Sequence, residues 1–160
     1  MASSNRLPNP SPPVRLRPPP EVVLRVLNPV VRAIIGTPLW RLFPSWMAVL
    51  HFSGRRSGGR YRVPVGLHDV QGTPTVFSER PWRFNFAGSA PVTVIARGRR
   101  RSGRAELVRD RDAVGAAFVV ALRQTRPSTL GLAVAKGHEP TAQELAAVGS
   151  DMITIRFDEM

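Results

Sequence analysis

The sequence predicts a mainly β fold with flanking helices (α+β), a small barrel or strongly curved sheet, and three observations carry that prediction. Short runs of β-forming residues recur between turn signals from Trp46 to Val108. Two capped helical patterns follow, opened by Asp110 and by Thr141, before Met152 to Phe157 returns to strand composition. Consecutive short antiparallel strands favour closure or strong curvature, because closure removes exposed strand edges.

Composition sets the outer bounds. A chain of 160 residues fits one domain, and 42% hydrophobic with 21% charged residues supports a real core. The charge departs from the average: 23 basic against 11 acidic side chains give +12, and Lys136 is the only lysine. Such a protein attracts anions. The absence of cysteine excludes disulfide scaffolds, thiolate catalysis and cysteine-ligated metal sites. The longest apolar run, Ala113 to Leu122, is too short to cross a bilayer as a helix. The N-terminus has prolines where a signal peptide has its apolar stretch, so a cytoplasmic location is the default expectation.

Three segments are expected. Residues 1–20 hold seven prolines and read as an extended, unpacked arm. In residues 21–44, Val22, Val23, Val26, Leu27, Val30, Ala33 and Ile34 keep the spacing of one helical face. Asn28-Pro29 and Thr37-Pro38 are cap signals for short helices. This segment reads as a helical cover on the domain. A basic amphipathic segment carrying a tryptophan also suits an anionic membrane surface, so residues 21–43 are a candidate for peripheral membrane contact. Residues 45–160 are expected to form the remaining domain, the barrel that carries the binding site.

Within it, Trp46 to Phe52 is apolar and stops at Ser53-Gly54, and Arg60 to Val65 is rich in β-formers. Thr73 to Ser78 follows a turn at Asp69 to Pro74, giving three strands in meander order. A short helix or loop at Trp82 to Gly88 leads to Pro91 to Arg97, a basic turn at Gly98 to Gly103, and Arg104 to Val108. Asp110 caps a helix with Val114, Ala117, Phe118, Ala121 and Leu122 on one face. Thr141 with Glu144 is a capping-box signature for a second helix. Met152 to Phe157 is the sixth strand.

The loop from Gly54 to Gly59 carries Arg55, Arg56 and Ser57 among three glycines. Glycine lets backbone N–H groups converge on an anion, and arginine adds a bidentate fork suited to phosphate or carboxylate. The lysine and following helix of a Walker A loop are missing. Arg100-Arg101-Ser102-Gly103-Arg104 echoes the loop, and both stretches read as hairpin tips, the second as a solvated one. His51, His68 and His138 lack a metal-ligand spacing, so no metal site is expected. No serine sits in a nucleophile-elbow pattern. Trp40 and Trp46 read as packing residues.

Four elements in order carry a resemblance. His51-Phe52-Ser53-Gly54-Arg55-Arg56-Ser57-Gly58, then Arg62-Val63-Pro64-Val65, then Trp82-Arg83-Phe84-Asn85-Phe86, then Pro91-Val92-Thr93-Val94 resemble the deazaflavin-dependent nitroreductase family of actinobacteria. That family has a T-x-G-R-K/R-S/T-G loop, a proline on the next strand, a W-x-x-N-L/F element and a P-x-V strand. The likeness covers about Val49 to Val108 and continues in looser form to the C-terminus.

The resemblance implies a split β-barrel related to the FMN-binding barrels, holding the deazaflavin coenzyme F-420 in a groove. It places the coenzyme's phosphate on Arg55, Arg56, Ser57 and Gly58, and its ring beside Tyr61, Arg62, Val63, Pro64 and Val65. Ser78, Arg80, Trp82 and Asn85 border the coenzyme. The implied reaction is hydride transfer from the reduced deazaflavin to a small-molecule acceptor such as a quinone or nitro compound. Tyr61, the only tyrosine, is the candidate proton or hydrogen-bond donor, with packing as its other reading. The chain departs from the family in having only Glu79-Arg80-Pro81 between the third strand and the tryptophan. Arg80 stands where a basic group is needed, but Glu79 would repel a phosphate.

FMN is the rival cofactor, because it too presents a phosphate and a tricyclic ring. A basic nucleic-acid-binding module is the rival from another class, with affinity falling steeply as salt rises. The strands lack the interleaved aromatics that would stack bases, so the leading reading includes no nucleic acid. A carrier that holds the coenzyme without turnover is a third reading.

Overall fold

The computed structural model describes residues 11–17, 38, 41 and 44–159. The helical cover expected over residues 21–44, its caps, its membrane contact and the packing of Trp40 therefore lie almost wholly outside the described residues.

Seven strands form one antiparallel sheet: β2 (Met47–Ser53), β3 (Arg60–Gly66), β4 (His68–Val70), β5 (Thr73–Ser78), β6 (Ala90–Ala96), β7 (Arg99–Val108) and β9 (Asp151–Phe157). Their order is β3-β2-β6-β7-β9-β5-β4. Leu67 alone separates β3 from β4, the two outermost strands, so the sheet must curl until its edges meet. The result is a barrel that is split rather than sealed. β4 covers only Thr73 to Thr75 of β5, so among the described residues the outer edge of Val76 to Ser78 has no strand partner opposite β3. The mainly β, barrel-like class expected from the sequence is the fold observed.

Two apolar layers result from strand alternation. Leu50, Phe52, Val76, Val94, Ile153 and Ile155 fill the barrel. The opposite faces of β5 and β9 carry Phe77 and Met152 into a second cluster under helix α1 (Arg111–Leu122), with Val114, Phe118 and Leu145 fully buried. Asp110 caps α1 by accepting from the N–H groups of Asp112 and Ala113. Thr141 and Glu144 complete the capping box of α2 (Ala142–Ala146). No helix among the described residues is long and apolar enough to cross a membrane.

Four expectations are corrected. The proline-rich arm packs at one point: β1 (Val14–Leu16) pairs with β8 (Leu132–Val134), and Val14 is buried. Proline permits extended backbone, and Val14 supplies an apolar side chain to bury. The strand at Thr73 to Ser78 does not continue a meander. It forms a tight hairpin with β4 through Gln71-Gly72, both at positive φ, and its main partner is β9. The basic stretch is not a six-residue turn, because Arg97-Gly98 alone turns the chain, again at positive φ. Arg99 to Gly103 is therefore strand, and of the two arginine stretches only Gly54 to Gly59 is a hairpin tip. Gly103 sits in that strand because a side-chain carbon there would run into the Arg156 backbone of β9.

Candidate functional site

The loop between β2 and β3 is closed by Gly54 N–H donating to the Gly59 carbonyl (2.7 Å) and Gly58 N–H donating to the Gly54 carbonyl (2.9 Å). Gly58 has φ 66°, a conformation that favours glycine. Its N–H is spent inside the loop, so Gly58 shapes the cradle instead of facing an anion. Ser57 Oγ accepts from Gly59 N–H (3.2 Å), which leaves the hydroxyl proton free to donate outward. The Arg56 side chain makes no hydrogen bond or ion pair among the described residues. Gly54 has a steric role. A Cβ there would lie 2.6 Å from the Tyr61 ring and 2.9 Å from Ser57 Oγ. Gly54→Ala is therefore expected to cost about 1–3 kcal/mol, read in a thermal melt; an unchanged melt would mean that loop and ring part freely.

The pairing of Gly54 with Gly59 sets the parity of the hairpin. Alternate antiparallel pairs exchange hydrogen bonds, so Tyr61, Val63 and Val65 bond to β2 while Arg60, Arg62, Pro64 and Gly66 turn their backbone groups to the free edge. Pro64 falls where its missing N–H leaves no ladder bond unmade. Unpaired among the described residues, this edge of β3 thus presents carbonyls, and the N–H groups of Arg60, Arg62 and Gly66, to the split.

A groove of about 470 Å³ runs along that split. Arg60 to Gly66 form one wall, and Phe77, Ser78, Glu79, Arg80 and Trp82 form the other. A second concavity adjoins it at Tyr61 and is lined by Arg55, Arg56, Ser57, Phe84 and Asn85. The thirteen expected site residues thus surround two joined concavities, Gly58 excepted. Tyr61 stands at the junction, 42% exposed, with one face stacked on Phe52 (centroids 5.4 Å, 8° between planes). Phe52 in turn contacts Trp82 and Phe86.

Several expected ligand contacts are braces. Asn85 Oδ1 accepts from Arg55 N–H (2.8 Å), and its Nδ2 donates to the Trp82 carbonyl (2.8 Å). Both ends of the amide are engaged in locking the arginine loop to the 3-10 helix Pro81–Phe86. Ser78 Oγ accepts from Arg80 N–H (3.1 Å), and Arg80 pairs with Glu79 (3.6 Å), which offsets the acid in the groove. Arg55 reaches the Ala87 carbonyl at 3.4 Å.

Sequence reasoning missed the clamp beneath this wall. Asp151, buried at the start of β9, accepts from Arg83 Nε (2.8 Å) and lies 3.4 Å from Arg109 Nε. Arg83 also donates to the carbonyls of Glu79 and Arg80, so one guanidinium holds the whole turn. Also missed are Leu16, His68, Thr129 to Gly131 and Ser150, which complete the groove from distant segments. The three histidines occupy separate places. His51 lies on β2, its pKa lowered by burial and then by Arg62 and Arg100; His138 pairs with Glu144 (2.8 Å); His68 lies in the groove.

No known family model matches the chain, and no curated protein does. Among solved structures the chain is similar to a candidate 5-nitroimidazole antibiotic resistance protein from Bacteroides thetaiotaomicron, with 10% identity and a TM-score of 0.45. The match covers 82% of this chain and 80% of that one.

Proposed function

We propose that the protein is an oxidoreductase that transfers a hydride from a reduced deazaflavin coenzyme to an electron-poor acceptor such as a quinone or nitro compound. The observation that carries the reading is the junction at Tyr61 of an arginine-bearing anion cradle and a groove along a free strand edge. The donor set fits a phosphodiester: the free Arg56 guanidinium, the Ser57 hydroxyl and the backbone N–H groups of Arg56 and Ser57, which have no partner among the described residues. The net charge of +12 suits a ligand with a phosphate and an acidic tail. When bound, the coenzyme supplies the hydride chemistry, and the protein supplies orientation and exclusion of water.

In this reading Arg56 and Ser57 hold the phosphate, while Arg55 and Asn85 keep the loop in place. Val63, Val65 and Trp82 wall the ring from water, and the β3 edge offers backbone donors and acceptors to its polar atoms. Tyr61, exposed at the junction, lines both concavities and offers its hydroxyl as a hydrogen-bond donor there.

Titration of the full chain with oxidised coenzyme, and separately with FMN, tests this by fluorescence at physiological salt. Tight, selective binding of the deazaflavin is expected. Arg56→Ala is expected to weaken it roughly tenfold or more, the worth of a charge-assisted hydrogen bond, while Arg100→Ala changes it little. Preference for FMN would redirect the cofactor assignment. Equal losses at Arg56 and Arg100, with a steep salt dependence, would favour a polyanion such as nucleic acid.

A further inference from the structure

The geometry points to His68 as the residue that reads the outer polar edge of a flat conjugated ring in the groove, a ring ending in a carbonyl or imide. The inference rests on the proposed function for the ring's orientation and adds the chemistry of its far edge.

His68 is 9% exposed, and neither ring nitrogen has a hydrogen bond or ion pair among the described residues. A buried polar group left in this way calls for a partner. Among the described residues its ring is held by apolar contact, stacked on Trp46 (6.5 Å, 13°) and tilted against Phe77 (6.2 Å, 38°). Burial lowers its pKa, so the ring is neutral at physiological pH and can donate from one nitrogen and accept at the other. The other buried polar side chains of the groove are already engaged: Ser78 Oγ with Arg80 N–H, and Ser150 Oγ with the Asp151 carbonyl.

Position then selects the ligand edge. Nε2 lies against Gly66, where a Cβ would come within 2.9 Å of it, and both residues line the groove at the end of β3 farthest from the arginine loop. Tyr61 and Gly66 are separated by roughly 17 Å of extended chain. A ligand anchored by phosphate at Arg56 and Ser57 extends its ring along β3 and ends at His68. An apolar edge there would leave the imidazole unbonded, whereas a carbonyl or imide edge satisfies it. This is a site that discriminates by the cost of an unpaired buried group.

The test compares wild type, His68→Phe and His68→Gln in the full chain. Phenylalanine keeps the stacking on Trp46 and Phe77, and glutamine keeps a donor and an acceptor. The probes are oxidised coenzyme and 5-deazariboflavin, which has the imide-edged ring without the phosphate. Binding is read by ring fluorescence and tryptophan quenching, with thermal melts to establish folding. Expected is a loss of roughly tenfold for both probes in His68→Phe and a loss of less than about threefold in His68→Gln. Undiminished binding by folded His68→Phe would overturn the inference while leaving the proposed function intact. Equal losses in both variants would also overturn it, because they would assign the effect to ring packing. If wild type binds neither probe, the inference and the proposed function fall together.

Discussion

Asp151→Ala is expected to lower stability by about 3 kcal/mol or more, because it leaves Arg83 desolvated without its counter-ion. In a chain of this size that corresponds to a fall in Tm of roughly 6–12 °C. The side chains of Asp151 and Arg83 are only 3% and 13% exposed, so solvent neither screens the pair nor replaces it. Arg109, 62% exposed, is too solvated to compensate. The effect extends to the site, since Arg83 also holds the carbonyls of Glu79 and Arg80, and the segment after them carries Trp82 and Asn85. Coenzyme affinity should therefore fall along with stability. A double variant, Arg83→Met with Asp151→Leu, should regain part of the stability, because a well-packed apolar pair avoids the cost of burying charge. Its affinity should stay low, because methionine cannot hold the two carbonyls. A loss below about 1 kcal/mol in Asp151→Ala would show that the pair is effectively solvated.

What was legible in the sequence was local. The strands at residues 47–53, 60–66 and 73–78 and the caps at Asp110 and Thr141 follow from patterns spanning a few residues. Strand order was not legible. Asp69 to Pro74 reads as one turn, but only Gln71-Gly72 turns the chain; Asp69 and Val70 belong to β4, which at three residues is too short to show as a strand. Gly98 and Gly103 illustrate a deeper limit. Both look like turn glycines, yet one supplies a positive φ and the other a close approach to β9, and a single sequence does not separate these reasons. The arginine loop was visible because its glycines and cations are contiguous. His68, Ser150 and the Arg83–Asp151 pair were not, because barrel closure brings them together across long stretches of chain.

Phe52→Ala is expected to cost about 3–5 kcal/mol and to weaken ring binding as well, and the second loss is the informative one. Phe52 is 7% exposed and belongs to the barrel core, yet it is also the support on which the site's aromatics rest. Its ring stacks with Tyr61, tilts against Trp82 at 5.9 Å and meets Phe86 edge-on at 4.8 Å. Removing it leaves Tyr61 with one bare face and lets Trp82 settle inward, so the junction of the two concavities loses its shape. Leu145→Ala supplies the comparison. Leu145 is fully buried, but it lies in the outer layer on α2 and lines neither concavity. Its truncation should cost about 2–5 kcal/mol by the same loss of burial and the same cavity. Two variants of similar stability are thus expected to differ in affinity for the oxidised coenzyme, with Phe52→Ala much the weaker binder under conditions where both are folded. Equal affinities would mean that the barrel core and the groove are mechanically independent. Tyr61 would then hold its place through Gly54 and the hairpin backbone alone, and the absence of a side chain at Gly54 would be the main determinant of the site's shape.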